Sequence, residues 1–456
     1  VEISTEAAPV LAEPPRIARG TSGLVRAWRL RKNSLAAWTD DAYREDILES
    51  HILFRHIFIV NCPDGVRHVL LDNADNYVKS FIARQLLKPL GQGLLNSEGA
   101  QWRRQRRTMA PAFHPRRVAD FSPAMVEATL NMLSGWAREP GAVVRDVAEE
   151  MARLTLDIIT RTMFSSDIRE RADEVRAALV GYQRVGGRPS LPDLLGLPRW
   201  VPRFHAARIR NAGLALDEII YGIIERRRQS GGPDDDLLGL LLAARDEDTG
   251  AAMDDVELRD QLATIFTAGH ETTANALAWT WYLLALHPAV EAKLHRELAV
   301  TLGGRAPGIA DVENLPYTRM VVEETLRLYP PAHTMSREAL ADDEIAGRKV
   351  PKGSAVLVSP WLIHRHEKLW DRPRVFDPER MAPERAQARS RYAYLPFGTG
   401  PRICIGAGFA MQEAVLILAT IAQRFRLRLA FGHKVEPVGL ITLRPGGGLS
   451  MLCEAR

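Results

Sequence analysis

An uninterrupted helical pattern from Asp254 to Leu286 sets the scale of anything this chain can fold into. Asp254 is a fair N-cap, and Pro288 stands just past the other end, so both termini are marked. Leu258, Leu262, Ile265, Phe266 and Gly269 recur at three- and four-residue steps, which is one face of a helix. At ~1.5 Å per residue such a helix is roughly 50 Å long, enough to cross a whole domain. Further helices are predicted over Gly99–Ala110, Pro316–Leu328 and Gly406–Phe425. Strand signals are short: Ile57–Asn61, Ala355–Ser359 and Gly439–Leu443. Breaks at Gly186–Trp200, Gly231–Asp236 and Gly303–Gly308 have the length of loops, not of domain linkers. The expectation is therefore a mainly α fold with several small sheets, one domain over residues 1–456, preceded by an irregular Pro-rich segment over 1–20.

Composition narrows the class. A net charge of +4, 46% apolar and 25% charged residues are ordinary for a soluble globular protein. Three cysteines, Cys62, Cys404 and Cys453, are too few and too odd for a disulfide framework, and none forms C-x-x-C. The most apolar long stretch, Ala276–Leu286, falls short of the ~18 residues of a membrane span. The first residues carry no signal-peptide core, although the chain begins with Val where a nascent chain has Met. A cytoplasmic protein with no transmembrane segment is expected.

Residues Phe397–Gly406 read FGTGPRICIG. Cys404 follows a glycine-rich turn and directly precedes a helix. Free helical N–H groups and the positive end of the dipole favour a thiolate there. Gly398 and Gly400 allow a tight turn and a close approach to a flat cofactor. A lone cysteine in a tight turn is more often just buried; the surrounding pattern reverses those odds. The stretch resembles the heme-binding signature of the cytochrome P450 family, FGxGxRxCxG, with every fixed position filled, and the match continues through Phe409, Ala410 and Glu413. The resemblance implies heme b (iron protoporphyrin IX) as cofactor, with Cys404 as axial ligand to its iron. Arg402 would pair with a heme propionate, and Phe397 would pack beside the sulfur. Cys62 and Cys453 lack a glycine cradle and a following helix, and read as structural.

Ala268–Thr273, AGHETT, lies in the middle of the long helix. Gly269 costs about 1 kcal/mol there relative to alanine, which packing alone could explain. Glu271 and Thr272 are an acid and a hydroxyl in a largely apolar helix, and Thr272 can bond back to the carbonyl of residue 268. An acid and a hydroxyl beside a gap make a proton relay. His270–Glu271 hints at the zinc motif HExxH, but position 274 is Ala274 and the hint fails. The segment resembles the family's central-helix motif. That resemblance implies that Ala268 and Gly269 adjoin the heme and give room for O2, with Glu271 and Thr272 delivering protons.

Glu324 and Arg327 share a helix face, and FDPER follows at Phe376–Arg380. Together they resemble the family's buried Glu–Arg–Arg network of Glu324, Arg327 and Arg380, except that Met381 stands where the family usually has Phe. Trp102 and Arg106 share a face of QWRRQRR. The basic run could suit nucleic acid, but Trp102, Met109 and Phe113 on a common side argue for a half-buried helix and no nucleic-acid role. By resemblance, Trp102, Arg106, Arg337 and Arg402 would hold two propionates. Arg103, Arg104 and Arg107 are expected to stay exposed and to steer an acidic electron donor.

The implied fold is the family's helical prism around a long central helix. The implied activity is a monooxygenase that uses O2 on a hydrophobic small molecule, with electrons from a ferredoxin- or flavodoxin-type protein and its reductase, since no flavin or nicotinamide motif is found. The expected substrate walls are Phe81 and Leu94; Phe266 and Ala268; Ala332, His333, Thr334 and Met335; and Leu440 and Ile441. They are mostly apolar and suit a hydrophobic substrate; the FGxGPRxC wording and Trp102–Arg106 resemble fatty-acid-oxidising and eukaryotic-type members more than the camphor-type bacterial ones, and that resemblance implies a fatty acid, alkane or terpenoid. The alternatives are a peroxide-driven enzyme, which would be expected to lack the Glu271–Thr272 pair, and a non-catalytic heme gas or redox sensor, which would not require that pair and would call for an output domain.

Overall fold

The computed structural model describes residues 9–52, 55–164, 206–230, 236–246 and 248–456, together with 174, 192 and 201. Of the breaks expected at 186–200 and 231–236, all but Pro192 and Asp236 lie outside these residues. Among the described residues, the helices of ten residues or more are α1 (Gly23–Lys32), α2 (Gly99–Met109), α3 (Ser122–Trp136), α4 (Val147–Phe164) and α5 (Ala206–Ser230). They continue with α6 (Asp255–Leu286), α7 (Pro288–Leu302), α8 (Pro316–Leu328) and α9 (Ala407–Ala422).

Helix α6 starts where the sequence marks it: the Asp254 carboxylate accepts from the Glu257 N–H at 2.7 Å. It ends where His287 N–H bonds Leu284 O at 3.1 Å and Pro288 opens α7. The expected one-sided stripe understates its burial. Every residue from Leu258 to Thr267 is buried, so this stretch is covered on all sides. Taken over its whole length, α6 packs against α4, α5, α7, α8 and α9. The main core lies on its C-terminal half, where Trp279 stacks on Tyr329 with centroids 4.1 Å apart and planes 8° apart.

The strands form small sheets. One has the order β1 (Ile47–Ile52), β2 (Arg55–Val60), β8 (Ala355–Val358), β5 (Met335–Ala339) and β3 (Tyr77–Lys79). Only the β2–β8 pair in it is parallel. A second has the order β4 (Val143–Asp146), β12 (Ser450–Ala455) and β9 (Phe425–Leu429). Two hairpins complete the set among the described residues, β6 (Asp343–Ile345) with β7 (Arg348–Val350), and β10 (Glu436–Gly439) with β11 (Leu443–Gly446). The strand expected over Gly439–Leu443 is thus the turn between β10 and β11, closed by Leu440 N–H to Thr442 O at 3.1 Å. A short apolar run of this kind cannot be separated from a short strand by periodicity.

Candidate heme-thiolate site

The cysteine loop is fixed from behind. Leu395 N–H donates to His364 Nε2 at 2.7 Å, and His364 Nδ1 lies 3.1 Å from Arg327 O. Only the Nδ1–H tautomer satisfies both contacts. Burial, and next the Arg327 charge, hold this imidazole well below its ordinary pKa, so it stays neutral. Gly400 has φ +72°, and a Cβ there would sit 1.9 Å from Leu70 O. No other residue fits without moving backbone. Cys404 N–H donates to Phe397 O at 2.9 Å and closes the loop on itself.

Helix α9 then begins with Gly406 as N-cap and no side chain capping it. The Gly406 N–H therefore reaches the Cys404 sulfur. Burial pushes the thiol up; the Gly406 N–H and the Arg106 charge pull it down. A metal cation at the sulfur would decide that balance for the thiolate. Cys404 nevertheless keeps solvent-accessible surface. By contrast, burial drives the Cys453 thiol to about 12, and it also raises Cys62.

Around the loop stands a cluster of cations. Arg106 Nη1 donates to Ile403 O at 2.8 Å. The Arg402 guanidinium lies 4.4 Å from the centroid of Trp102, so both predicted residues of α2 meet the loop. Arg402 also pairs with Glu98, and Lys79 Nζ lies 3.3 Å from the same carboxylate. Arg337 donates to Ser336 O at 3.1 Å and, among the described residues, has no carboxylate within ion-pair distance. Burial first, then Arg402, lowers Arg337 to about 10. Burial and the neighbouring Arg402 likewise lower Lys79 to about 8. Arg402 and Lys79 share one carboxylate and Arg337 pairs with none among the described residues, which is the environment a dianionic ligand completes. Sequence reasoning missed Lys79 and Glu98; nothing in their local pattern separates them from surface charges.

Helix α6 presents two opposite faces here. Ala268 is exposed, although its neighbours Ile265, Phe266 and Thr267 are buried, and Thr272, one turn on, is half-buried. An accessible alanine in a helix so covered faces an internal gap. Phe266 and His270 lie on the other face, and Phe266 is fully buried among apolar side chains. Phe266 is thus core, not pocket wall. Gly269 also has a packing role, because a Cβ there would meet Ile159 Cδ1 of α4 at 2.4 Å. The Thr272 hydroxyl donates to Ala268 O at 2.7 Å, as its position suggests. Glu271 Oε1 accepts from the Thr442 hydroxyl at 2.7 Å, and Asn275 Nδ2 lies 3.4 Å from Thr442 Oγ1. Thr442 lies far away in sequence, and no local signal could have found it.

Glu324 and Arg327 are fully buried and bonded through two contacts of 2.7 Å. The other Arg327 N–H groups go to His364 O, Pro373 O and Val375 O, so all five donors are used. Arg380 stands off at 3.6 Å from Glu324 and bonds Arg372 O instead, so it joins by charge and not by hydrogen bond. Met381, the departure from the family pattern, is buried.

Of the expected substrate walls, Leu94 is buried beside Phe266 in one apolar cluster, while Phe81 begins a short helix by donating its N–H to Glu338. His333 joins two others: its Nε2 meets Leu440 O at 3.0 Å, and its Nδ1 meets Thr334 Oγ1 at 3.1 Å. Burial lowers this imidazole to about 4, so it is neutral. Met335, Leu440 and Ile441 are half-buried and Ala332 is exposed. Met335 Sδ reaches within 3.4 Å of where a Gly398 Cβ would stand, which brings this wall to the cysteine loop. The expected free basic face is compensated: Arg103 pairs with Asp75, Arg104 with Glu257, and Arg107 with Asp246 and Asp248.

A sulfur at a helix mouth, an accessible face on α6 and cations in excess of carboxylates together fit an iron porphyrin with two propionates. The comparisons agree. A family model described as "Cytochrome P450" matches residues 31–445. Cyclooctatin synthase of Streptomyces melanosporofaciens is 40% identical over 415 residues, 90% of this chain and 89% of that protein. Pentalenene oxygenase of Streptomyces avermitilis is 33% identical over 439 residues, 94% of this chain and 95% of that protein. A crystal structure of the cytochrome P450DA heme domain superposes with a TM-score of 0.83 at 27% identity, covering 98% of this chain and 99% of that one.

Proposed function

Given that the chain belongs to the cytochrome P450 family, we propose that it oxidises a cyclic terpenoid hydrocarbon or alcohol, inserting one oxygen atom of O2. Electrons would come from a ferredoxin- or flavodoxin-type protein and its reductase. The monooxygenase class comes with the family, whose members among the relatives include a cyclooctat-9-en-7-ol 5-monooxygenase that is 38% identical over 413 residues. The observation that carries the reading is Cys404, whose sulfur takes the Gly406 N–H at the mouth of α9.

Heme b, when bound, supplies O2 activation, because a thiolate ligand pushes electron density to the iron and favours O–O cleavage. The chain's own residues do the remainder. Arg106, Arg337, Arg402 and Lys79 would anchor the propionates by charge-assisted bonds, with Trp102 holding the Arg402 guanidinium in place. Thr272 has its hydroxyl proton committed to Ala268 O, so its lone pairs are free to accept and orient a proton donor in the gap. Glu271, held by Thr442, is the acid next to it in sequence and the source from which that donor is replenished. The Glu324–Arg327 pair acts at a distance, by holding the carbonyl and ring of His364, which in turn fixes Leu395 and the start of the cysteine loop.

Substrate class rests on the walls and the relatives. Ala268, Met335, Leu440 and Ile441 are apolar, and neutral His333 adds no charge. Of the classes the sequence suits, the relatives' names favour a cyclic alkene or alkenol. A spectral titration of the ferric protein tests this. Terpenoid alkenes and alkenols should shift the heme to high spin at micromolar concentration. A shift produced by fatty acids or steroids alone would overturn the substrate class.

A further inference from the structure

Far from the cysteine loop in sequence, the β1–β2 hairpin gathers two imidazoles and a carboxylate. His51 and His56 are directly opposite in the antiparallel register, and Glu49 stands two residues before His51 on the same strand. Alternate residues of a strand share a face, so all three project to the same side. The two imidazole centroids are 4.0 Å apart with planes tilted by 33°. His56 Nε2 lies 2.5 Å from Glu49 Oε1. One ligand atom from each of the three lies within 4.8 Å of the others. Phe58, next on that face of β2, backs the His56 ring with centroids 4.9 Å apart. Glu49 and His51 are exposed and His56 is half-buried, so the cluster opens to solvent.

We propose that Glu49, His51 and His56 form a binding site for a divalent first-row transition cation of the zinc class. Two neutral imidazoles and a carboxylate are zinc ligands, at ~2.0–2.2 Å each, and three of them leave a fourth position for water. Tetrahedral ligation at that bond length puts ligand atoms roughly 3.3 Å apart. Binding would draw the three ligand atoms, now within 4.8 Å of one another, to that spacing, and the solvent-facing side chains leave room to turn. Calcium and magnesium are not suited, because they take oxygen ligands in larger number. Without a cation, two opposed imidazoles repel when protonated; a cation turns that liability into a chelate. The donors come from both strands, so the ion staples the free edge of the five-stranded sheet. In that sheet Phe58 is in register with Val356, and Val356 with Arg337, so the stapled strand lies two strands from a heme-site cation.

The test is zinc titration of the tag-free, heme-loaded full chain against a chromophoric chelator, with His51→Ala, His56→Ala and Glu49→Gln in parallel. The expected result is one zinc per chain at micromolar affinity or tighter. Affinity should fall at least about tenfold in either histidine variant and less in Glu49→Gln. The spectrum of the carbon monoxide adduct, unchanged in all three, reports that the variants are folded. Copper should compete more strongly than zinc, and millimolar calcium or magnesium should not compete. Wild-type chain that holds no zinc below millimolar concentration would overturn the proposal. So would variants that bind as the wild type does, or effective competition by magnesium.

Discussion

Replacing Arg337 by Met should have opposite effects on the chain with and without its cofactor. Arg337 is lowered from the ordinary guanidinium value to about 10, with burial the first cause and Arg402 the second. At ~1.36 kcal/mol per pKa unit, that fall corresponds to roughly 3 kcal/mol against the charged form in the fold. The sign follows from linkage. A cation whose folded pKa is depressed destabilises the fold wherever it is charged in both states, and that holds at every pH below about 10. At neutral pH the cost is therefore complete. Met keeps the length and the packing, and loses one bond to Ser336 O worth about 1 kcal/mol. The heme-free variant should be more stable than the heme-free wild type by about 2 kcal/mol in urea denaturation. The heme-loaded variant loses a charge-assisted bond to a propionate, about 1.5–3 kcal/mol, or roughly 10- to 150-fold in heme retention. Transfer of heme to excess scavenging globin measures that loss. If both forms are destabilised together, Arg337 is a structural residue of β5; if heme transfer is unchanged, the cations do not hold propionates.

Other perturbations separate the parts of the site. Thr272→Ala should retain heme but send reducing equivalents to hydrogen peroxide, so product per electron falls several-fold; an unchanged ratio would contradict the role given to the hydroxyl. Gly400→Ala sets a Cβ 1.9 Å from Leu70 O at φ +72°, and should cost about 2 kcal/mol or more and strip the heme. Normal heme content in that variant would refute the loop geometry. Glu413, fully buried on α9, is raised from 4.5 to about 8 by burial, against the opposing Thr273 bond. Between those values the unfolded chain ionises while the fold keeps its proton, so this residue removes stability as pH rises through the window. Glu413→Gln should thus gain in Tm over the wild type progressively from pH ~5 to ~8; parallel curves would argue against a buried protonated acid.

The elements bounded by strong local chemistry were legible in the sequence. Asp254 and Pro288 set the ends of α6, and Pro316–Leu328 is observed as α8. The cysteine loop was legible because Phe397–Gly406 fills every fixed position of the signature it resembles; a cysteine in a tight turn would not by itself have singled it out. What was not legible is long-range or directional. A three-four pattern gives the apolar faces of α6 but not which one meets the gap, so Phe266 was read as wall together with Ala268, and of the two only Ala268 has accessible surface. Gly269 invited a cofactor reading, and Ile159 of a helix more than a hundred residues earlier gives it a packing reason. Thr442, Lys79, Glu98 and His364 are polar residues whose partners are brought to them only by the tertiary fold.

The account turns on which atom holds the iron. Ferrous protein treated with carbon monoxide should give the red-shifted absorption of a thiolate-ligated heme. Cys404→Ser should abolish that band, whereas Cys62→Ser and Cys453→Ser should leave it intact. The band surviving in Cys404→Ser, or vanishing in either of the other two, would show that the iron is held elsewhere.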